Sequence, residues 1–216
     1  MKIYDCFTYF DEDLILDTRL NILNDYVDYF VIVESTFNHN GESRQLKFDI
    51  NKFEKFKKKI KYVVWDKIPE DIEKINENDE EIIRERKFIN NAVRRDNGQR
   101  NYVMKGLENA DKNDLILLSD LDEIPLLNKI DLKKIKHKII IFEQLMCYYK
   151  FNLAIPNYKW FGTRACLKKN LKSPQWLRNI KARKYPFFRL DILFNEKKFN
   201  NISIIKQGGW HFTNIK

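Results

Sequence analysis

The chain has 216 residues, which is enough for one domain with a substantial core. Its 44% hydrophobic and 14% aromatic content excludes a disordered protein, and no apolar run approaches the roughly 20 residues that cross a bilayer. The net charge of +9 comes from scattered lysines without a recognisable RNA-binding module, so we expect no nucleic-acid partner. A phosphate-rich substrate or peripheral contact with an acidic membrane would use the same charge.

The N-terminus and the cysteines predict a cytoplasmic protein. The opening residues Met1 to Asp5 lack the apolar stretch of a signal peptide. The three cysteines are odd in number and match no zinc-site spacing, so we expect them to be reduced, buried apolar groups. They are Cys6, Cys147 and Cys166.

The first half of the chain alternates predicted strands and helices. Short apolar or β-branched runs predict strands, whereas apolar residues at spacings of three and four predict helices. Strands are predicted over 3–10, 28–35, 61–65 and 114–119, with helices starting near 11, 53, 80 and 99 and a break at 96–98. This alternation is typical of a mostly parallel α/β sheet.

After Pro125 the alternation stops, and the remaining elements read mainly as strands. These are predicted over 138–151, 158–172, 185–193 and 202–206. No repeat or linker divides the chain, so we expect a single domain over 1–216.

The stretch most indicative of chemistry follows the fourth predicted strand. Asp120, Asp122 and Glu123 stand within four residues, directly after Leu115–Leu118. Ligands of open α/β sheets bind beyond the carboxyl ends of the strands. Carboxylates alone would repel a nucleotide diphosphate, but Mn²⁺ or Mg²⁺ held between them would attract it. The alternative is a solvated turn or helix cap.

Two further motifs suit such a site. His211 follows two glycines and Trp210, and a neutral histidine can bind a metal, although an ordinary half-buried histidine is the alternative. Arg100 falls near the helix face of Val103 and Leu107. An inward-pointing arginine needs an anion such as a phosphate or a site carboxylate, whereas an exposed arginine needs none.

Several ordered segments together resemble glycosyltransferase family 17. They are Ile3–Phe7, Asp28–Ser35 with its loop to Phe48, Gln99–Asn101 with Gly106–Leu107, Ser119–Pro125 and Gly208–Phe212. The resemblance covers most of the chain. The family includes N-acetylglucosaminyltransferases. Eukaryotic members also carry a membrane anchor and a luminal stem, which are not recognisable in these 216 residues.

The resemblance implies a GT-A fold, with a Rossmann-like nucleotide-binding half over 1–125 and an acceptor half over 126–216. It implies inverting transfer from a UDP-sugar, with UDP-GlcNAc as the expected donor and a glycan as the acceptor. Asp120, Asp122 and His211 become the predicted metal ligands. Donor contacts are predicted at Glu34, Ser35, Arg100, Ser119 and Asp120.

Inverting transfer also needs a base that takes the proton of the acceptor hydroxyl. Glu143 and Asp191 are the candidates, because each carboxylate has apolar neighbours that can raise its pKa. Either one could instead be the structural partner of a nearby lysine or arginine. Glu123 is expected to orient the metal site.

Three other classes of protein would share some of these sequence features. A nucleotidyltransferase also needs paired carboxylates and a metal, but the glycine- and lysine-rich triphosphate loop typical of that class is missing from the N-terminal region. A basic module for nucleic acid or anionic glycan would need no divalent metal. A degenerate transferase would bind the donor without a base.

Overall fold

The computed structural model describes residues 1–128, 130–134, 136–185 and 195–215. Within these residues there are nine strands and four α-helices. The strands are β1 (Ile3–Tyr9), β2 (Tyr29–Ser35), β3 (Ile60–Trp65), β4 (Leu115–Leu118), β5 (Glu123–Pro125), β6 (Ile139–Tyr148), β7 (Ala154–Leu167), β8 (Ile202–Ile205) and β9 (Gly209–Thr213). The helices are α1 (Asp13–Leu23), α2 (Glu81–Asn101), α3 (Val103–Gly106) and α4 (Pro174–Asn179), with 3-10 turns at Ile50–Phe56, Leu132–Lys134 and Lys168–Asn170.

The first four strands form a parallel sheet in the order β3-β2-β1-β4. All four predicted strands are confirmed, and their carboxyl ends meet at one edge. The strand order reverses between β1 and β4, which makes this edge the switch point of a Rossmann-type sheet. The chain therefore places the residues after β1 and β4 side by side.

The second half extends the same sheet as a mixed set of strands. The full order is β3-β2-β1-β4-β7-β6-β9-β5, with β8 beside the first half of β6. β7 runs antiparallel to both β4 and β6, and β5 runs antiparallel to β9. The predicted α/β class, a mostly parallel sheet flanked by helices with a mixed extension, is confirmed.

Two apolar clusters lie on opposite faces of the sheet. On one face α1 packs Leu16 and Leu20 against Phe7 and Phe30. On the other, α3 and α4 cover Val31, Ile116 and their neighbours. The three cysteines are buried and form no disulfide, as predicted. Burial raises the pKa of the Cys166 thiol to about 12.

The predicted helix break at 96–98 is wrong, because α2 continues to Asn101. Gly98 is tolerated inside the helix since it packs against Trp65, where an added Cβ would lie 2.7 Å from the indole ring. The apolar face of α2 is also exposed, with Ile82 at 78% and Ile89 at 61%. This long helix contributes little to the core.

Three other elements differ from the sequence predictions. The helix predicted from residue 53 is a 3-10 turn, Ile50–Phe56, and the Gly209–Thr213 segment forms strand β9 rather than a loop. The short helix α4 was not predicted, although Ser173 accepts a hydrogen bond from the Trp176 amide as an N-cap and Pro174 follows it. The strand predicted over 185–193 falls almost wholly outside the described residues.

In the described parts of the chain, the helices lack the combination of length and apolar character that a bilayer crossing requires. The exposed apolar side chains of α2 alternate with charged ones, so they do not form such a segment.

One buried ion pair joins the first strand to the first helix. Arg19 of α1 and Asp5 of β1 are fully buried, and the guanidinium binds the carboxylate through two hydrogen bonds, of 2.8 and 2.6 Å. The other guanidinium hydrogens reach the Ser119 hydroxyl and backbone carbonyls after β4. A buried charge is tolerated only when it is paired and hydrogen-bonded in this way.

Replacing Arg19 with alanine should therefore destabilise the fold severely. The substitution leaves Asp5 as an unpaired buried carboxylate, which costs about 3–5 kcal/mol of unfolding free energy. Urea denaturation followed by circular dichroism measures this loss. Lys52→Ala, which removes an exposed ion pair with Asp13, should leave the midpoint unchanged. Equal stability of wild type and Arg19→Ala would contradict this account.

Candidate active site

A cavity of about 550 Å³ opens at the switch point of the sheet. Its walls come from the ends of β1 and β4, from the C-terminal part of α2 and from the residues after β9. Asp120, Asp122 and Arg100 all line it. The structure thus brings together three of the residues that the sequence predicts for donor or metal binding.

The turn from Asp120 to Glu123 is shaped by Arg19 from beneath. One guanidinium nitrogen, Nη1, donates to the carbonyls of Asp120, Leu121 and Glu123 at 3.2, 3.0 and 2.9 Å. Sequence reasoning missed Arg19, although it lies three residues after Leu16 and four before Leu23 on the buried helix face. A charged residue at a core position was the available signal.

Glu123 is the centre of a buried network under the site. Its carboxylate accepts hydrogen bonds from the Trp160 indole at 2.6 Å, from the Asp120 amide at 2.9 Å and from Arg178 at 2.7 Å to each oxygen. The side chain is fully buried. Glu123 thus lies where it can orient the residues of the acidic turn, as expected. Its hydrogen bonds hold the side chains of Trp160 and Arg178 in position.

Asp120 is held by two arginines. Arg178 contacts one carboxylate oxygen at 2.6 Å, and Arg100 contacts the other at 3.2 Å. Burial alone would raise the pKa of the Asp120 carboxyl, but the two cations outweigh it and lower the pKa. Burial opposes the Arg178 cation too, yet Glu123 and Asp120 raise its pKa, so the guanidinium stays charged.

Arg178 was not predicted from the sequence. It lies on α4, and its partners Asp120 and Glu123 are 58 and 55 residues away along the chain. The N-cap Ser173 and the following Pro174 would have predicted the helix, but nothing local indicates which face of it meets the acidic turn.

Asp122 is paired with His211 instead of an arginine. The Nε2 atom of His211 lies 3.2 Å from a carboxylate oxygen of Asp122, and the Phe212 amide donates to the Asp122 carbonyl at 2.9 Å. Strand β9 positions His211 beside Glu123 of β5, and Trp160 stacks on the imidazole with ring centroids 4.5 Å apart. The predicted Gly-Trp-His segment therefore does reach the acidic turn.

The side chains around Asp122 and His211 suit a divalent cation only if other ligands complete its coordination. Among the described residues, no three histidine, cysteine or carboxylate side chains converge to hold a metal by themselves. Mg²⁺, however, is usually bound by one or two carboxylates together with waters and substrate phosphates. The carboxylate of Asp122 and Nε2 of His211 lie as close as two ligands of one ion, and Asp122 faces the cavity. The residues fit a cation that shares its coordination with a diphosphate.

Arg100 points into the site with one donor unused. The side chain is 9% exposed, and Nη1 and Nη2 bind Gln175, Asp96 and Asp120. Within the described residues, its buried Nε–H has no hydrogen-bond partner. This atom is closed off from solvent, so a ligand can use it only if the side chain shifts.

Three predicted donor contacts have structural partners instead. Glu34 is fully buried, and its oxygens accept from the amides of Lys47 and Phe48, from the Tyr62 hydroxyl and from Arg44. Ser35 accepts from the Phe37 amide. The Ser119 hydroxyl is bound to Arg19 and Thr163. In this structure these groups hold the loop after β2 and the base of the acidic turn.

Glu143, one of the two predicted bases, does not line the cavity. Glu143 lies in regular pairing with Phe161, one residue before Gln144, which pairs with Trp160. Since neighbouring side chains in a strand point to opposite faces, Glu143 faces away from Trp160 and His211. Asp191 lies outside the described residues, so its role stays a prediction.

The family model that matches residues 1–179 is glycosyltransferase family 17. The chain belongs to this family. The match covers all the elements that build the cavity except β9, including Arg19, the acidic turn and Arg178. Membership in glycosyltransferase family 17 favours a transferase over the non-enzymatic binding module.

Other comparisons add little to the family 17 assignment. No curated protein matches the chain significantly. Among solved structures, the chain is similar to the crystal structure of HddC from Yersinia pseudotuberculosis, with a TM-score of 0.41 and 9% identity over 96% of this chain and 92% of that one. A likeness this remote carries no information about activity.

The ion pairs of Asp120 predict a specific pH dependence. Its folded pKa lies below the ordinary 3.8, so the ionised carboxylate adds stability at neutral pH, which is lost as the pH falls through the folded pKa. Asp120→Asn should lower the unfolding free energy at pH 7 by about 1 kcal/mol or more, but less than a fully buried pair would, because the side chain is 35% exposed.

Urea titrations of both proteins from pH 7 to pH 3 measure this difference. The difference in unfolding free energy between wild type and Asp120→Asn should narrow below about pH 4. There the Asp120 carboxyl is protonated first in the unfolded chain and, at lower pH, in the folded protein. The exposed Asp66→Asn serves as the control and should show no gap. A gap that stays constant down to pH 3 would rule out the stabilising role of the Asp120 charge.

Proposed function

We propose that this family 17 protein is a metal-dependent inverting glycosyltransferase that moves a sugar, GlcNAc being the expected one, from a UDP-sugar to a glycan hydroxyl. The observation that carries the proposal is the contact between His211 and Asp122, which together with Asp120 lines the switch-point cavity. The GT-A assignment, the donor and the stereochemistry come from the family resemblance.

The charges around the cavity support a metal requirement. Glu12, Asp96, Asp120, Asp122 and Glu123 supply five negative charges, and Arg100, Arg164 and Arg178 supply three positive ones. The sum is −2 with His211 neutral, so a diphosphate would be repelled. One divalent cation brings the sum to zero. The family's Mn²⁺ or Mg²⁺ would thus remove this repulsion, bind the diphosphate directly and stabilise the departing UDP.

The two aspartates then have different roles. Asp120 is already neutralised by Arg100 and Arg178, so it serves to hold those arginines at the cavity. Asp122 has no arginine partner among the described residues, and with His211 it would hold the metal. This differs from the expectation that both aspartates bind the ion directly.

Arg100 would bind the donor's phosphates. Its side chain lines the cavity, and the guanidinium group suits phosphate geometry. The acceptor hydroxyl loses its proton to a base. Asp191 stays the candidate for that base, since Glu143 faces the other side of the sheet.

Replacing Asp122 with alanine should abolish metal-dependent donor binding. We expect the affinity for UDP with Mn²⁺ to fall about 100-fold or more, because the metal supplies several kcal/mol of charge stabilisation. Isothermal titration calorimetry with UDP, with and without EDTA, measures this loss. His211→Ala should lower the affinity for UDP with Mn²⁺ by a similar factor. The control, Glu85→Gln at an exposed position of α2, should bind UDP as tightly as wild type does. UDP binding that is indifferent to both chelator and Asp122→Ala would refute the metal site.

Replacing Arg100 with glutamine should weaken UDP binding without removing the metal response. The loss of a charged hydrogen bond to phosphate corresponds to about tenfold weaker binding. The matched control is Arg94→Gln on the same helix, because Arg94 pairs with Asp71 and Glu73 away from the cavity. The same titrations, repeated over a range of Mn²⁺ concentrations, separate the phosphate contact from the metal contact. Equal affinities for the two variants would contradict the Arg100 role.

A further inference from the structure

A second cavity of about 560 Å³ lies in the acceptor half of the molecule. Its walls come from β6, from the residues after β5, and from the turn and first residues that lead into β9. Apolar and aromatic groups alternate with polar ones around it. They include Glu143, Leu145, Tyr158, Lys206 and Trp210.

This cavity and the first one have no lining residue in common. Leu145 pairs with Trp210 across β6 and β9, and Met146 pairs with His211. Because alternate side chains point to opposite faces, Trp210 and His211 lie on different sides of β9. A ligand packed on Trp210 therefore lies on the opposite face of β9 from the imidazole of His211.

The polar groups of this cavity have unused hydrogen-bonding capacity. The Glu143 side chain is only 19% exposed, and its ionic contact among the described residues is Lys159 at 3.8 Å, which is long for a hydrogen bond. In the same part of the chain, no hydrogen bond is formed by the Glu143 carboxylate or by the indole N–H of half-buried Trp210. Both residues line the cavity.

We propose that this second cavity is a binding subsite for a neutral sugar residue. A sugar ring has apolar C–H faces that pack on an indole, and hydroxyl groups that both donate and accept hydrogen bonds. Trp210, Tyr158 and Leu145 provide the apolar contacts, while Glu143 and the indole N–H complement the hydroxyls. Half-buried carboxylates seldom lack partners, and a bound hydroxyl would satisfy this one.

The choice of a carbohydrate rests on the proposed transfer to a glycan. The cavity lies in the half expected to receive the acceptor, and it shares no lining residue with the proposed donor cavity. It would therefore hold a sugar residue of the acceptor that is remote from the reacting hydroxyl. In this role Glu143 binds substrate and takes no proton.

Saturation-transfer NMR with chitotriose and maltotriose tests the subsite on the full chain. Wild type should transfer magnetisation to at least one trisaccharide, and an excess of UDP with Mn²⁺ should not displace it. Glu143→Gln should weaken the binding about tenfold, since it replaces a charged hydrogen-bond acceptor with a neutral one. Tyr158→Ala, a substitution at an exposed residue, should also weaken it, and Tyr26→Ala, outside the cavity, should not.

The outcomes separate this proposal from the proposed function. UDP binding with Mn²⁺ should be equal in wild type and Glu143→Gln, whatever happens to the sugar. If neither trisaccharide binds to a protein that binds UDP, or if UDP displaces the sugar, the subsite is refuted. It is refuted as well if both cavity variants bind like wild type. Failure of UDP to bind would refute the transferase proposal alone.

Discussion

The whole site depends on the buried guanidinium of Arg19. It neutralises Asp5 in the first strand and uses its remaining hydrogens on Ser119 and on the carbonyls after β4. A turn of irregular backbone at the end of a strand has carbonyls that the sheet cannot satisfy, and each would be costly to bury unpaired. Because Arg19 satisfies several of them at once, the conformation of the acidic turn is set by β1 and α1 and does not depend on a ligand. The positions of Asp120 and Asp122 are consequently set by the protein's own contacts, ahead of the metal and nucleotide binding proposed for them.

Above the turn, the ionic contacts among the described residues distinguish the two aspartates. Glu123 fixes Arg178, Arg178 and Arg100 neutralise Asp120, and the partner of Asp122 in this part of the chain is His211. A cation competes poorly for a carboxylate that already has two guanidinium partners, and better for one whose neighbour is an imidazole. The asymmetry of an apparently symmetric Asp-x-Asp pair therefore arises from residues on α2, α4 and β9, which lie far away in the sequence.

This distribution explains what could be predicted from the sequence. The four parallel strands and the placement of Asp120 after β4 depend on local apolar runs and on a general rule about sheet edges, so both were predictable. Arg100 was recognisable because a helical wheel places it inward. Arg19 was overlooked although the same reasoning applied to it. The roles of Arg178 and Glu34 depend on partners brought together by the tertiary fold, and the strand β9 depends on pairing with β5 and β6. No local pattern encodes those pairings.

Strand β9 illustrates how one short segment can serve two surfaces. Its alternating side chains place His211 against Asp122 on one face and Trp210 in the second cavity on the other. Gly209 starts the strand with a φ of +131°, and an added Cβ would lie 2.8 Å from the Leu126 amide, so only glycine lets β9 approach β5 this closely. A one-residue shift of β9 would exchange the histidine and the tryptophan between the two faces. Gly209 therefore matters indirectly for both surfaces, since it allows the register that places Trp210 and His211 on opposite faces.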